Sequence, residues 1–532
     1  MPDCLQPPAS SRKALLWIGC LALINLGGEA VEVPKLFQDH MVLQREMPVA
    51  LWGSGEPGEH IAITFGTQQA KAAVRPDRSW STTLPAMPAD HQPRDLLIVG
   101  SSTITIHDVL VGEVWLCSGQ SNMVTRVTEI PQEMADHEIP LADYPEIRYF
   151  HAENPLAQEP QRDFVKASWS ICTPATVGNF SGVAYFFGRE LYRSLHVPIG
   201  LVHVAVGGTA CEAWTSPAGL AHDPAYIKTL KPLWEKRFAE YPEAKKKYDE
   251  VTLPRWQEAK TKAEAAGQKS PGKPGEPPYI GRRSPSTLFS AFIAPLAGIS
   301  VRGVAWYQGE SNADHLLDAQ QYRTIFPSMI ADWRAHWQRP DLPFIFVQIA
   351  NFKAVQTEPA EMEAPWPFAR EAQAMALSLP HTGMVTAIDI NQEPENIHPK
   401  NKRDIGMRLG LKCLNMIYGK DIPCAGPTFV SATREGSTMR LRFTHIDGGL
   451  HIGEREPSPQ LNGFAIAGED GKYAWATAVI DHDTIVASNP AIPEPKHVRY
   501  DWAQNPIGNL CNGAHLPAFP FRTDTDQGLI LP

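Results

Sequence analysis

The chain has 532 residues, of which 43% are hydrophobic and 20% are charged, and its formal net charge is -10 at pH 7. This length is too great for one ordinary hydrophobic core, so we expect several domains. The negative charge argues against nucleic acids and anionic membranes as main partners, but it does not exclude an acidic sugar held in a local basic pocket.

The first segment, residues 1–30, has the pattern of a secretory signal peptide. Arg12 and Lys13 precede a short apolar run, and small residues close the segment at Ala30. A membrane-anchoring helix is the alternative, although the run is short for a span. We therefore predict a secreted or periplasmic protein with no membrane span after removal of the signal.

Residues 31–108 and 421–532 are predicted to form two β modules. Short alternating segments are separated by turn residues, for example His60–Phe65 in the first module and Met439–Phe443 in the second. This pattern is typical of β-sandwich-like modules.

Between these modules, residues 109–420 consist of buried strands separated by helical patterns. The predicted strands are Val111–Cys117, Leu201–Val206, Val301–Tyr307, Phe344–Ile349 and Gly383–Ile388. Such alternation predicts an α/β domain with a doubly wound, flavodoxin-like parallel sheet of five strands, which binds ligands beyond the strand carboxyl ends. The charged residues 216–283 interrupt the pattern, and we expect them to form a helical, solvent-facing insertion with a flexible linker.

Residues suited to ester hydrolysis follow the predicted strands. They are Gly119-Gln-Ser-Asn122 after the first strand, Gly207-Gly-Thr209 after the second, Gln308-Gly-Glu-Ser-Asn312 after the third, Asp389 after the fifth, and His398 in the next loop. Acyl transfer requires a nucleophile, a base, a group that orients the base, and donors to the oxyanion. Each part has a candidate at the same edge of the sheet, which favours a serine esterase with Ser121 as the nucleophile.

Four motifs in this order also resemble a known family. They are Leu116–Met123, Gly207–Thr209, Trp306–Asn312 and Ile397–Lys402, and the opening Pro34–Gln44 and the ending Phe519–Asp524 match as well. The chain resembles the sialate O-acetylesterase-like family of the SGNH hydrolase superfamily, whose members are carbohydrate acetylesterases. The resemblance extends over nearly the whole mature chain apart from the charged insertion.

The resemblance implies that Ser121 attacks the acetyl carbonyl and that His398 removes its proton. The oxyanion would be bound by the Ser121 N–H, by a glycine N–H at Gly207 or Gly208, and by the Asn312 side chain. A cap serine, a helix-start histidine and a tight glycine turn are the competing interpretations. No metal or organic cofactor is required.

The acidic partner of the histidine has two candidates. Relatives commonly place an Asp three residues before the histidine, where this chain has Glu395, and a glutamate can orient an imidazole. Asp389 is the competitor, and a serine–histidine pair held only by a backbone carbonyl is a further alternative.

Four other polar residues are predicted substrate contacts, namely Gln120, Gln308, Glu310 and Arg370. Gln308 and Glu310 are expected mainly to shape the pocket by bonding neighbouring loops. For Arg370, a surface salt bridge is the competing interpretation.

The sequence therefore predicts an exported serine esterase that removes O-acetyl groups from sugars, with O-acetylated sialic acid as the substrate implied by the resemblance. An esterase for acetylated polysaccharides such as xylan is the alternative in the same class. A carbohydrate-binding protein with an inactive sheet domain is the alternative in another class, but the complete set of Ser, Gly, Asn and His elements argues against it. The oligomeric state is left open.

Overall fold

The structure, a computed structural model, describes residues 30–275, 281–453 and 458–524. The predicted signal peptide lies outside the described residues except for its last position, Ala30. In this described part of the chain, no helix has both the length and the apolar composition that a membrane crossing requires.

The N-terminal part forms short strands, five of which lie in two small antiparallel groups. The strands are β1 (Val42–Gln44), β2 (Val49–Ser54), β3 (His60–Phe65), β4 (Gln68–Ala73), β5 (Ser79–Leu84) and β6 (Asp90–Val99). β2 pairs with β5, and β3 pairs with both β4 and β6. Leu51 of β2 and Ile61 of β3 belong to the same buried cluster, so the two groups share a core.

The middle of the chain supplies the strands of a large mixed sheet. They are β7 (Thr103–Gly119), β8 (Tyr144–Glu153), β9 (Lys166–Cys172), β10 (Ile199–Ala205), β11 (Gly303–Tyr307), β12 (Phe344–Gln348) and β13 (Thr382–Thr386). Their order across the sheet is β13-β12-β11-β7-β10-β8-β9. All neighbours pair in parallel except β8 and β9, which are antiparallel.

The sheet is therefore larger than the five parallel strands predicted from the sequence. β8 adds a sixth parallel strand and β9 an antiparallel edge, and both strands contain exposed as well as buried residues. Edge strands of this kind lack the continuous apolar run by which buried parallel strands are recognised. β7 also extends back to Thr103, where it pairs with β6 and joins the N-terminal strands to the central sheet.

Helices cover both faces of this sheet. The helices are α1 (Ser121–Val124), α2 (Gln132–Leu141), α3 (Gly182–Leu195), α4 (Pro217–Ala221), α5 (Pro224–Lys228), α6 (Leu230–Lys247), α7 (Leu253–Ala265), α8 (Leu316–His336), α9 (Pro365–Met375) and α10 (Lys402–Met416). Successive residues of β7 point to opposite faces. Trp115 joins the buried cluster that contains residues of α3 and α10, whereas Leu116 joins the cluster that contains residues of α8 and α9.

The charged segment from residue 216 onward is helical. α4 to α7 lie in it, and the long helices α6 and α7 carry ion pairs one turn apart, such as Lys236 with Glu240. The beginning of the segment is anchored to α8, because the Ser216 side chain donates to Asp332 (2.6 Å) and Ser328 donates to Asp223 (3.1 Å). The helices therefore extend from a fixed base beside the sheet.

The C-terminal part returns to short strands. They are β14 (Thr428–Glu435), β15 (Thr438–Thr444), β16 (Leu450–Ile452), β17 (Phe464–Ala467), β18 (Ala474–Trp475), β19 (Thr477–Asp481), β20 (Thr484–Ser488), β21 (His497–Tyr500), β22 (Leu510–Asn512) and β23 (Phe521–Arg522). Two four-stranded sheets, β14-β15-β20-β19 and β18-β17-β21-β23, are accompanied by the pair β16-β22. Leu441 of the first sheet and Ile466 of the second share one buried cluster, as expected for packed sheets.

Candidate active site

The turn after β7 presents Ser121 at the carboxyl edge of the central sheet. β7 ends at Gly119, which has a φ of 142°, and a Cβ added there would lie 2.1 Å from the carbonyl oxygen of Tyr307. Only glycine fits this position, because both the backbone conformation and the close approach exclude a side chain. Gln120 is extended, and helix α1 starts at Ser121, which is partly exposed.

Ser121 and His398 lie in hydrogen-bonding contact although 277 residues separate them in the sequence. The Nε2 atom of His398 is 2.8 Å from the Oγ atom of Ser121. Burial, and then the positive charge of Lys402, lowers the pKa of His398 from its ordinary value of 6.5. A neutral imidazole at this distance can accept the hydroxyl proton, which is the geometry that a general base requires.

The glycine loop after β10 lies directly against the serine. A Cβ added to Gly207 would be 3.4 Å from the Cβ of Ser121, and Gly208 has a φ of 72°, in the left-handed region that favours glycine. Arg282 donates to the Gly207 carbonyl oxygen at 3.3 Å. This close approach of main chain to nucleophile is what a backbone oxyanion donor needs.

Asn312 ends a short 3₁₀ turn after β11, and its amide is held by three hydrogen bonds. Its Oδ1 accepts from the Cys211 N–H (2.9 Å) and from Gln308 Nε2 (2.8 Å). Its Nδ2 donates to Glu212 Oε2 at 3.1 Å. Since an amide nitrogen carries two hydrogens, one N–H of Nδ2 is left for another acceptor.

A buried network joins the nucleophile loop to the histidine loop. Asn122 donates through Nδ2 to Glu310 and to the carbonyl oxygen of Ile397 (3.2 Å), and its Oδ1 accepts from Lys402 Nζ. Burial lowers the pKa of Lys402 to about 7 and raises the pKa of Glu310. The residue after Ser121 is thereby tied to the residue before His398.

Neither predicted acidic partner contacts the histidine ring. Asp389 forms a two-point ion pair with Arg408, with both distances 2.7 Å, and Glu395 is exposed. Among the described residues, no hydrogen bond to His398 Nδ1 is present. The loop is oriented instead by Asn396, whose Oδ1 accepts from the His398 N–H at 2.9 Å.

The four predicted substrate contacts lie beneath the site and not at its surface. Gln120, Gln308, Glu310 and Arg370 are all at most 3% exposed. Gln120 accepts from the Ser311 N–H (3.2 Å), and Gln308 donates to the Thr209 carbonyl (3.0 Å), so both join neighbouring loops.

The prediction for Arg370 is corrected most strongly by this burial. Its guanidinium donates to the carbonyl oxygens of Ile349, Ala350, Ala503 and Gln504, at distances from 2.7 to 3.0 Å. Arg370 therefore connects the end of β12 to the C-terminal segment. A donor set directed at main-chain carbonyls in a buried position does not reach a substrate.

Sequence reasoning missed Asn122, Glu212 and Lys402. For Glu212 a signal exists, since it is the single charge in the otherwise apolar segment Ala210–Trp214, and such a carboxylate needs a partner. Asn122 and Lys402 lie within the motifs Leu116–Met123 and Ile397–Lys402, but no local pattern marks Lys402 as buried, because a lysine at the start of a helix is ordinarily exposed.

Comparisons with known proteins identify the family to which the chain is similar. The sequence profile of the family described as carbohydrate esterase, sialic acid-specific acetylesterase, matches residues 111–247 and 285–415. Mouse sialate O-acetylesterase is 31% identical over 532 residues, which cover 91% of this chain and 92% of the mouse protein. Human sialate O-acetylesterase is 29% identical over 425 residues, covering 73% of this chain and 71% of the human protein.

A solved structure with a similar fold is the carbohydrate acetylesterase from Xanthomonas citri. It is 33% identical in sequence and superposes with a TM-score of 0.77. The superposition covers 93% of this chain and 100% of that chain, so the likeness includes both β-rich ends as well as the central sheet.

Proposed function

The chain belongs to the carbohydrate esterase family of sialic acid-specific acetylesterases, and we propose that it removes O-acetyl groups from sialic acid through an acetyl-enzyme formed on Ser121. Its activity is that of a carboxylic ester hydrolase acting on O-acetylated sugars. The observation that supports the mechanism is the 2.8 Å contact between Ser121 Oγ and His398 Nε2.

The proposed reaction has two halves. In the first, His398 accepts the Ser121 proton, the oxygen attacks the acetyl carbonyl, and the sugar hydroxyl leaves after it receives that proton from the imidazolium. In the second, the same imidazole activates a water molecule, which releases acetate and restores the serine. Neither Glu395 nor Asp389 has a role in these steps.

The oxyanion of both tetrahedral intermediates would be held by three donors. They are the Ser121 N–H, a glycine N–H at Gly207 or Gly208, and the free N–H of Asn312. The contact between Gly207 and Ser121 and the fixed direction of the Asn312 amide support this assignment. Donors fixed in advance are effective because they need no reorganisation as charge develops.

The substrate is tested by comparing rates on defined acetylated sugars. Acetate release from O-acetylated sialic acid should exceed release from acetylated xylan, each measured as kcat/KM with purified protein. Faster release from acetylated xylan would replace the sialic acid proposal with a polysaccharide acetylesterase. The ester-hydrolase chemistry would be unaffected by that result.

Asn312→Ala should lower kcat about 100-fold, because a single oxyanion-hole donor is worth about 3 kcal/mol of the barrier. Steady-state hydrolysis of a chromogenic acetyl ester measures this change. A decrease of less than threefold would remove Asn312 from the oxyanion hole. Asn415→Ala, on α10, is a suitable control, since Asn415 bonds only to nearby carbonyls such as that of Lys420 (3.1 Å) in the described structure.

The pH profile of kcat/KM should have an acid limb whose midpoint lies below pH 6.5. The pKa of His398 is lowered from 6.5 in the folded protein, so the ring stays neutral and able to accept a proton until the pH falls below that value. Lys402→Met removes the positive charge that contributes to this lowering and should move the limb to higher pH. A pH series of kcat/KM from acidic to neutral buffer measures both effects.

Lys400→Met is the matched control for the pH series. Lys400 is exposed and pairs with Glu393, and it is not among the causes of the lowered His398 pKa. The acid limb of the pH profile of Lys400→Met should coincide with that of the wild type. A wild-type limb at or above pH 6.5, or a limb unmoved in a folded Lys402→Met protein, would contradict the assignment of His398 and its neighbour.

We also propose that the protein is exported. The supporting observation is the charged, apolar and small-residue pattern of residues 1–30, almost all of which precede the described part of the chain.

A further inference from the structure

We propose that Glu212 is a positioning residue that orients the Asn312 amide so that its second N–H points to the acetyl oxygen. The inference rests on the role proposed above for Asn312 as an oxyanion donor. Glu212 itself does not touch the reacting atoms in this account. It acts through one hydrogen bond, which Asn312 Nδ2 donates to Glu212 Oε2 at 3.1 Å.

The hydrogen bonds of Asn312 specify which end of the amide faces each neighbour. Its Oδ1 takes two donors, the Cys211 N–H and Gln308 Nε2, which use both lone pairs of that oxygen. The NH₂ group must therefore point the other way, and Glu212 binds one of its two hydrogens. The direction of the remaining N–H is then defined. Without Glu212, the amide would be less restricted in rotation about the side-chain bonds of Asn312.

Glu212 is a buried carboxyl group, and its position is not explained by a surface charge that keeps the protein soluble. The side chain is 6% exposed and lies in the 3₁₀ turn Cys211–Trp214, whose other residues are fully buried and mostly apolar. Asn312 is its only side-chain hydrogen-bond partner in the described structure. Burial raises the pKa of Glu212 to about 7. Placing a carboxyl group here disfavours its charged form, so an apolar residue would suit the core better if packing alone mattered.

Two of the three hydrogen-bond partners of the Asn312 amide come from the same short turn. The main-chain N–H of Cys211 donates to Asn312 Oδ1, and the side chain of Glu212, the next residue, accepts from Asn312 Nδ2. The turn follows directly on the Gly207–Thr209 loop, and Gln308 also donates to the carbonyl of Thr209 at 3.0 Å. Hydrogen bonds therefore join the Gly207–Thr209 loop, the Cys211–Trp214 turn and the segment that carries Asn312.

Two substitutions of Glu212 are expected to have different effects on kcat. A glutamine keeps an oxygen acceptor of the same reach, so Glu212→Gln should retain kcat within about threefold of the wild type. A methionine has similar length but no comparable acceptor, so Glu212→Met should lower kcat about tenfold or more, with KM changed by less than about threefold. Glu212→Ala is a second variant without an acceptor, in case the methionine protein does not fold.

A double-mutant cycle with Asn312→Ala separates this role from a purely structural one. If Glu212 acts through Asn312, the double variant Glu212→Met/Asn312→Ala should be no slower than Asn312→Ala alone. A chromogenic acetyl ester is the substrate, so that the result does not depend on which sugar the enzyme prefers. Thermal melts of all variants report stability separately from kcat.

Glu138→Met is the matched control. Glu138 is also 6% exposed and has one charged partner, Arg189, but it joins α2 to α3 away from the oxyanion loops. We expect its loss to lower the melting temperature and to leave kcat of the folded enzyme unchanged.

Three results would overturn the proposal. The first is a double variant whose loss of kcat is the product of the two single losses, which would show independent effects. The second is wild-type kcat in a folded Glu212→Met or Glu212→Ala protein. The third is equal loss in Glu212→Gln and Glu212→Met, which would assign the effect to the carboxyl group itself and not to an acceptor. Because the Asn312→Ala rate is measured alongside, failure of the oxyanion-hole assignment would be recognised separately.

Discussion

Ser121→Ala should lower kcat by about 10⁴-fold or more, the size of effect seen when the nucleophile of a serine hydrolase is removed. The substitution deletes the oxygen that lies 2.8 Å from His398 Nε2, and among the described residues no other hydroxyl is hydrogen-bonded to that ring. KM should change much less than kcat, since the hydroxyl reacts and does not provide the main binding surface. Ser121 is partly exposed, so the melting temperature should hardly change.

Two measurements check this prediction. The first is steady-state acetate release by the wild type and the variant, with Ser81→Ala as a control, since Ser81 is an exposed serine of β5. The second is mass spectrometry of acid-quenched enzyme, which should find an acetylated Ser121 peptide in the wild type alone. Comparable acetate release by Ser121→Ala would contradict the proposed mechanism and would require a different nucleophile.

His398→Ala should lower kcat by a similar factor, about 10⁴-fold, because the serine hydroxyl then lacks its base. The same ring also has to protonate the leaving sugar oxygen, so both halves of the reaction depend on it. The nucleophile remains in place, and the lost ring leaves a space beside Ser121. Added imidazole should therefore recover part of the rate in the variant, which a loss of folding could not explain.

His60→Ala is the control for the histidine substitution. His60 is an exposed residue of β3 in the N-terminal strands, and its replacement should leave kcat unchanged. A His398→Ala protein that folds and retains more than a tenth of the wild-type kcat would contradict the assignment of His398 as the base.

The contact between Ser121 and His398 also specifies which ring nitrogen carries the proton. When Nε2 accepts from Ser121 Oγ, the neutral ring must be protonated at Nδ1. In many serine hydrolases a carboxylate holds that proton in place. Here Asp389 is engaged by Arg408 and Glu395 is exposed, so the loop geometry set by Asn396 has to hold the ring.

The network of Lys402, Asn122 and Glu310 lies directly below this pair. A buried lysine and a buried carboxyl group are costly to desolvate, and they are tolerated when each has partners. Asn122 lies between them and also binds the carbonyl oxygen of Ile397. Groups from three separate segments therefore connect the surroundings of Ser121 to those of His398, and the charge of Lys402 contributes to the lowered pKa of His398.

Much of the site was predictable because strand ends are encoded locally. Val114–Cys117 is an apolar run that is followed by a glycine at position 119, and similar apolar runs, Val204–Val206 and Gly303–Tyr307, precede Gly207 and Gln308. Parallel strands place their carboxyl ends at one edge, so the sequence by itself predicted that the loops carrying Ser121, Gly207 and Asn312 converge. The position of His398 came from the motif Ile397–Lys402, which the resemblance to the family supplied.

The edge of the sheet and the buried polar groups were decided by tertiary structure. The strands β8 and β9 are only partly buried, so their sequences lack a continuous apolar run. β8 becomes part of the parallel sheet only because it pairs with β10. Arg370 sits in a helix with no local sign of burial, yet its partners include carbonyl groups more than 130 residues away.

The same holds for the residues that position the site. Glu212 and Asn312 are 100 residues apart, and Lys402 and Asn122 are 280 apart. Local periodicity reports which side of a helix or strand faces the core, but it carries no information about which polar groups will meet there. The sequence thus predicted the α/β fold type and, with the family resemblance, the serine and the histidine that are proposed to react. The groups that orient them follow only from long-range packing, because a buried charge acquires its partner when distant segments come together.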